Sequence, residues 1–174
     1  MSKCIIKWHK LNSKAVIPNK TKNAAGFDIY TIEDYVAIPP HSQYMFSTGI
    51  GYVIEGPYWL MAFDRGSTGS QGLHVHCGVC DKDYRGEVFI CIKNDNDYPV
   101  IITRSIDKAY KVEKEIIGDY YCGPVFYYPA CKGIAQLIPI KMPKVKTGMI
   151  GVHGWELAKE QSARKDGKLG SSGK

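Results

Sequence analysis

The sequence predicts an all-β fold, a β-barrel or jelly roll, and two observations carry this prediction. Short apolar runs recur along the chain and are separated by Pro-Pro, Gly-Pro and Asn-Asp turn signals, as in proteins built from many short strands. No run before residue 150 shows the apolar period of about 3.6 residues that marks an amphipathic helix. A short helical turn after Ser67 is the only helix expected there. The clearest candidate strands are Cys4–Trp8, Tyr35–Ile38, Ile50–Ile54 and Tyr58–Phe63.

The chain length and the net charge limit the classes of function that the protein can have. At 174 residues the chain is long enough to bury a core as one domain. Lys plus Arg (23) exceed Asp plus Glu (17), and the net charge of +6 suits anionic ligands such as phosphates. The basic residues form no stripe, so no stable nucleic-acid binding is expected. No apolar stretch reaches the roughly 18 residues of a membrane span, and Met1–Cys4 leads straight into a strand, so we expect a cytoplasmic protein without membrane contact.

The cysteines allow two interpretations. The six cysteines are not spaced as a regular disulfide framework, so free thiols are expected in a reducing compartment. Cys77 and Cys80, however, have a spacing used by zinc sites, and His74 and His76 lie beside them. The histidines alternate along a predicted strand and no second cysteine pair follows at finger spacing. Small buried thiols are therefore favoured, and a structural zinc stays the alternative.

The first segment with a candidate functional residue, and thus the first signal of a site, is Ala24–Tyr30. Gly26 lets the backbone turn into a strand in which Phe27 and Ile29 share one face and Asp28 occupies the other. The residues alone indicate no more than an ordinary strand entry.

The second signal, Asp64–Ser70, follows the strongly apolar strand that ends at Phe63. The guanidinium of Arg65, the backbone N–H of Gly66 and the hydroxyl of Ser67 together fit phosphate oxygens. An ordinary Ser-rich loop has the same composition, so both interpretations stay open.

The third signal is a charged hairpin, Gly78–Glu87, between the run that ends at Val75 and the apolar run Val88–Ile92. Asp81 and Asp83 would face the same side of an extended backbone, and a carboxylate pair held there would raise one pKa. Either residue then suits a general base, or both simply solvate a turn.

Two further segments follow the hairpin. Residues 95–131 are longer than an ordinary connection and predict an excursion of strand or hairpin whose aromatic side chains cover a barrel edge or present a partner surface. In Lys132–Ile138, alternation places Gln136 on the opposite face from Ala135 and Leu137. A glutamine there needs a hydrogen-bonding reason, or it lies at a strand edge in water.

Five segments, in order, resemble the five motifs of the homotrimeric dUTPases. Gly78 to Gly86 resembles Gly-Val-Ile-Asp-x-x-Tyr-Arg-Gly, and Lys132–Ile138 resembles Gly-x-Arg/Lys-Ile-Ala-Gln-Leu. The segment around Asp28 resembles Ala-Gly-x-Asp-Leu, that around Arg65 resembles Pro-Arg-Ser-Ser/Gly, and the tail resembles Arg-Gly-x-Gly-Gly-Phe-Gly-Ser-Thr-Gly. The sequence departs from the family pattern at Asp64 (Pro), Gly66 (Ser), Gly133 (basic), Lys165 and Lys168 (Gly) and Leu169 (Phe).

This resemblance implies a dUTPase-like barrel in a C3 homotrimer, with each site built from more than one subunit. It implies Mg²⁺-dependent hydrolysis of dUTP to dUMP and pyrophosphate, which keeps uracil out of DNA and supplies dUMP for dTMP synthesis. Asp81 would be the catalytic base, and Asp28 would meet the metal through water. Substrate would be bound by Arg65, Gly66, Ser67, Gly78, Tyr84, Gln136, Arg164, Leu169, Gly170, Ser171 and Ser172.

The predicted organisation is a barrel domain at 1–153, including the insertion at about 95–131, and a flexible C-terminal arm at 154–174 that closes a neighbouring site. Some phage dUTPases resemble this chain in carrying an extra segment at the same place. The alternative function is a dUTP-binding regulatory protein that engages a protein partner through the insertion. A dCTP deaminase relative and a zinc or nucleic-acid module are less favoured.

Overall fold

The strands follow the predicted runs closely. This computed structural model describes residues 3–118 and 121–162, and two predicted strands, Tyr35–Ile38 and Tyr58–Phe63, have the predicted bounds. The all-β prediction is confirmed. The strands are β1 (Ile5–Lys10), β2 (Phe27–Ile29), β3 (Tyr35–Ile38), β4 (Gln43–Ser47), β5 (Ile50–Glu55), β6 (Tyr58–Phe63), β7 (Leu73–His76), β8 (Val79–Cys80), β9 (Phe89–Asn94), β10 (Val100–Thr103), β11 (Tyr110–Ile117), β12 (Tyr121–Pro129) and β13 (Ala135–Lys141).

These strands form four sheets, and the core lies between their inner faces. The strand orders are β1-β5, β11-β12-β10-β3, β2-β13-β6-β8 and β4-β9-β7. All named pairs are antiparallel except β10 with β12. Alternate residues point inward, as in β13, where Ala135 and Leu137 are buried and Gln136 is half-buried. Each fully buried Ile or Leu contributes about 1.5–3 kcal/mol of hydrophobic stabilisation.

Helices are short in the described residues. α1 (Gly66–Gly69) is the helical turn predicted beside Ser67, and a 3₁₀ turn (Ala130–Lys132) precedes β13. Gly133 ends that turn at φ 75°, a backbone conformation that favours glycine. None of the helices in residues 3–118 and 121–162 is long and apolar enough to cross a membrane.

The insertion forms a hairpin, but part of its predicted range belongs to the barrel. β11 pairs antiparallel with β12, as the predicted excursion requires. β10, which lies inside the predicted 95–131 range, is buried along its whole length because it pairs with β3 on one side and β12 on the other. The excursion is therefore shorter than predicted, and the second half of β12 lies in a barrel sheet.

The chain divides into two compact units, residues 1–142 and 143–174. The second unit contains α2 (Val152–Gln161), which buries no side chain and crosses the predicted boundary between 153 and 154. The predicted arm residues Arg164, Leu169, Gly170, Ser171 and Ser172 lie outside the described residues. Their role and the domain boundary stay predictions.

Candidate active site

The Asp81 hairpin connects two paired strands and is itself attached to a second sheet. β7 and β9 pair antiparallel from Leu73 with Asn94 to His76 with Cys91, as predicted for the strands that flank the hairpin. Within the connection, β8 pairs with β6, and Ala62 N donates to Gly78 O at 2.8 Å. A Cβ on Gly78 would lie 2.5 Å from the Ala62 carbonyl oxygen, so only glycine fits this close approach. The backbone leading to Asp81 is thus fixed against β6.

The two aspartates of the hairpin are not equivalent. Tyr84 N donates to Asp81 O at 3.1 Å and closes a turn. Of the two interpretations, the turn is therefore observed, and the extended backbone that would place Asp83 beside Asp81 is not. Asp81 is exposed and lines two clefts, while Asp83 lines one of them. Tyr52, buried on β5, donates its hydroxyl to Asp81 O at 2.5 Å. Burial, with smaller contributions from Cys80 and Asp81, raises the pKa of Tyr52, so the hydroxyl remains a donor.

The C-terminal half of the hairpin is pinned to the barrel by Glu87. The Tyr84 hydroxyl donates to Glu87 O at 2.9 Å, and a Cβ on Gly86 would lie 2.5 Å from that hydroxyl. The glycine therefore makes room for the ring of Tyr84. The Glu87 carboxylate accepts three hydrogen bonds from the turn between β4 and β5, from the Ser47 hydroxyl, Thr48 N (3.0 Å) and Gly49 N (2.7 Å).

One cleft beside the hairpin has a volume of about 330 Å³. Asp81, Tyr84, Cys77 and Cys80 line it together with Phe89. Burial, and secondarily Asp81, raises the pKa of the Cys80 thiol to about 11. This cysteine therefore behaves as a small apolar residue, as expected for the position where the family motif has Ile.

A second group of residues gathers around Arg65. Arg65 forms a two-pronged ion pair with Asp28, through Nε to Oδ1 at 2.8 Å and Nη2 to Oδ2 at 2.9 Å. Its Nη1 lies within hydrogen-bond distance of three oxygens, those of Ser67 Oγ (3.2 Å), Tyr128 Oη (3.1 Å) and Gly133 O (3.3 Å). Burial lowers the pKa of Arg65, but Asp28 and Tyr128 outweigh it and the pKa is raised. The guanidinium stays charged and oriented.

Gln136 extends this group along β13. Its Nε2 donates to the Asp64 carbonyl oxygen at 2.7 Å, which supplies the predicted hydrogen-bonding reason for a glutamine in the strand. Gln136 pairs with Asp28 across the strands, and a Cβ on Gly26 would lie 2.7 Å from Gln136 Oε1. The small residue of the first motif therefore gives the glutamine its space.

The Asp81 hairpin and the Arg65 group are separate in one chain. Cys80 pairs with Leu60, and Arg65 follows Leu60 by five residues, about 16 Å of extended backbone. Within the described residues no hydrogen bond or ion pair joins Asp81 to Arg65. The structure brings Asp28, Arg65, Ser67 and Gln136 together, while Asp81 and Tyr84 line a different cleft. Gly78 lies between the two groups and lines one cleft together with Gln136.

The histidine and cysteine cluster has other contacts. His74 Nδ1 lies 2.9 Å from Asp64 Oδ2, and Asp64 Oδ1 accepts from Val75 N at 2.5 Å. Across the described parts of the chain, no three His, Cys, Asp or Glu side chains come together as metal ligands. The pair Cys77 and Cys80 thus has no described third ligand for the alternative zinc site.

Sequence reasoning missed three residues that hold the site. Tyr52 supports Asp81, Glu87 anchors the hairpin, and Tyr128 contacts Arg65 and Ser67. The sequence gives only a weak indication of the two tyrosines: a tyrosine inside an apolar strand needs a hydrogen-bond partner for its hydroxyl once it is buried. Which partner it finds depends on the tertiary fold.

The all-β fold, the exposed Asp81 carboxylate on a fixed hairpin and the charged, oriented Arg65 guanidinium suit a protein that binds and hydrolyses nucleotide phosphates. A family model described as dUTPase matches residues 12–109. The deoxyuridine 5′-triphosphate nucleotidohydrolases of Candida glabrata and Saccharomyces cerevisiae are 34% and 31% identical, with alignments covering 68% and 66% of this chain and 83% and 79% of theirs. The chain belongs to the dUTPase family.

Solved structures show the same fold. A mutant dUTPase of Staphylococcus bacteriophage 80alpha, determined with dUpNHpp, has a TM-score of 0.65 at 21% identity, over 97% of this chain and 98% of that one. The dUTPase of S. aureus phage phi11, described with a species-specific insert, has a TM-score of 0.63 at 21% identity, over 84% and 96%.

Proposed function

We propose that this chain hydrolyses dUTP to dUMP and pyrophosphate with Asp81 as the general base. The observation that carries this proposal is an exposed carboxylate on a backbone held from two sides, by Tyr52 at its carbonyl and by the pairing of β8 with β6. Asp81 accepts a proton from a water molecule, whose oxygen bonds to the α-phosphorus while the bond to the β-phosphate oxygen breaks. Such base catalysis contributes about 10²- to 10⁴-fold.

The triphosphate is bound by the Arg65 group. The first N–H groups of a helix have no partner inside it, and in α1 these belong to Gly66 and Ser67. The Ser67 hydroxyl lies beside the Arg65 guanidinium. Together with Arg65 and Gln136, the two N–H groups offer donors to phosphate oxygens as negative charge develops. Since Gly66 has open space around its Cα, phosphate can approach its backbone.

Tyr84 and Gly78 select the deoxyuridine. Tyr84 packs under the deoxyribose and leaves no room for a 2′-hydroxyl, which excludes UTP. The backbone near Gly78 recognises the amide edge of uracil and rejects cytosine through mismatched hydrogen bonds. The carbonyl of Gly78 already accepts from Ala62 N, so the other backbone groups of this loop carry most of the recognition.

Separation of the two groups supports a C3 homotrimer in which the Asp81 hairpin of one subunit faces the Arg65 group of another. The C-terminal arm completes the site, with Arg164, Gly170, Ser171 and Ser172 on the phosphates and Leu169 over the base. We place this enzyme in the cytoplasm, or in the host cytoplasm for a phage protein.

Mg²⁺ fits this donor set as an ion carried by the substrate. The described residues hold no group of three potential ligands, and hydrated Mg²⁺ needs few direct protein contacts. Both carboxylate oxygens of Asp28 face Arg65 and keep lone pairs for water, so Asp28 meets the ion indirectly. When bound, Mg²⁺ neutralises charge on the triphosphate oxygens.

The proposal is tested by measuring pyrophosphate release from dUTP, dTTP, dCTP and UTP, first with Mg²⁺ and then with a chelator. Release from dUTP alone, lost on chelation, is expected. Ammonia release from dCTP would instead identify a deaminase. Tight dUTP binding without turnover would favour the regulatory alternative, and the insertion would then be examined for its protein partner.

A further inference from the structure

Tyr128 links the insertion hairpin to the proposed phosphate site. Its ring is 2% exposed on β12, and its hydroxyl meets three groups: Ser67 Oγ at 2.9 Å, Arg65 Nη1 at 3.1 Å and Gly133 O at 3.0 Å. No motif discussed above includes this residue. A buried hydroxyl with three partners fixes the positions of all three.

The Tyr128 and Ser67 hydroxyls each have a single proton to donate in this network. Gly133 O only accepts and Arg65 Nη1 only donates, so the single Tyr128 proton goes either to Gly133 O or to Ser67 Oγ. When it goes to Gly133 O, the Ser67 proton points to Tyr128. In that arrangement Ser67 has no proton to give a phosphate.

A phosphate oxygen at Ser67 requires the other arrangement. Phosphate only accepts, so Ser67 turns its proton to it, and Tyr128 turns its own proton to Ser67 Oγ. Gly133 O still accepts from Arg65 Nη1 at 3.3 Å, so no buried group loses its last partner. Donation into Ser67 Oγ also polarises the Ser67 hydroxyl and strengthens its bond to phosphate.

We infer that Tyr128 is a positioning residue for substrate binding, which converts Ser67 from a donor to Tyr128 into a donor to the triphosphate. This inference rests on the proposed function, because it takes Ser67 as a phosphate ligand. It also connects the insertion hairpin with the site. β12, the second strand of that hairpin, contains Tyr128.

A double-mutant cycle tests the inference. Tyr128→Phe removes only the hydroxyl, and a hydrogen bond of this kind is worth about three- to tenfold in KM for dUTP, with kcat nearly unchanged. Ser67→Ala gives a similar rise, and the double variant should be no worse than the poorer single variant, because both remove the same bond to phosphate. The control is Tyr127→Phe, whose hydroxyl donates to Glu115 outside the site and whose KM should match the wild type.

The outcomes separate the two ideas. If Ser67→Ala leaves KM unchanged, the proposed role of Ser67 fails. If Ser67→Ala raises KM while Tyr128→Phe does not, or if the two effects multiply independently, the inference alone is overturned. Should Tyr128→Phe prevent folding, 3-fluorotyrosine incorporated in place of Tyr128 keeps the hydroxyl and makes it a stronger donor. It is then expected to lower KM, and an unchanged or raised KM contradicts the inference.

Discussion

The Asp81 hairpin and the Arg65 group reach rigidity in different ways. The hairpin is one contiguous segment held mainly through its backbone, by β-pairing and by the Tyr52 hydroxyl. The Arg65 group is assembled from side chains of β2, α1 and β12 and from the backbone carbonyl of Gly133, two residues before β13. Backbone fixation leaves a carboxylate free to react, whereas a side-chain network occupies most of its own donors. The proposed base and the proposed phosphate-binding group thus rest on two modes of packing.

Truncation after Ser162 should show that the hairpin and the Arg65 group together do not suffice for activity. Removing residues 163–174 deletes the proposed third contributor, so we expect activity to be abolished while the barrel stays folded. Pyrophosphate release and circular dichroism measure the two properties. An active truncated enzyme would show that the two groups form a complete site without the arm.

Asp81→Asn should produce the next largest effect. We expect turnover to fall by at least about two orders of magnitude, because the amide cannot accept the proton, while dUTP binding is retained. Asp83→Asn is the matched control, since its side chain lies in the same turn but lines one cleft only. Equal losses in both variants, or near-normal turnover of Asp81→Asn, would remove Asp81 from its assigned role.

The contrast between the two regions also explains which parts of the fold and of the candidate site can be predicted from the sequence. β3, β6 and the turn at α1 were predictable because local apolar runs and turn residues encode them. The hairpin was predictable as a segment, and a turn at Asp81 and Asp83 was one of two interpretations, but residue alternation could not choose the turn because it assumes extended backbone. Tyr128 lies 61 residues from Ser67, and only the tertiary fold brings them together.

Asp28→Asn should weaken the Arg65 group more than the hairpin. The ion pair is bidentate and its side chains are 22% and 32% exposed, so we expect a loss of about 1–2 kcal/mol in unfolding free energy, with a raised KM for dUTP. Urea denaturation and steady-state kinetics measure these changes. The control is Asp34→Asn, which breaks ion pairs with Lys14 and Arg104 at a carboxylate that is 65% exposed and should change both quantities far less. A control variant that loses as much stability would show that burial of the pair is unimportant.

Tyr52→Phe should have the smallest effect, and one that depends on pH. Loss of the hydrogen bond to Asp81 O costs about 1 kcal/mol near neutrality. Because burial raises the pKa of Tyr52 in the folded state, its contribution is complete below the unfolded value of about 10 and is lost as pH rises above it. The difference in unfolding free energy between wild type and variant should therefore be larger at pH 8 than at about pH 11, as measured by urea denaturation. The pKa of Cys80 is also raised, to about 11, so its contribution to the unfolding free energy falls with rising pH as well. This contribution is present in both proteins and therefore cancels in the comparison. An equal gap at the two pH values would mean that the Tyr52 hydroxyl does not hold the hairpin through a protonated donor.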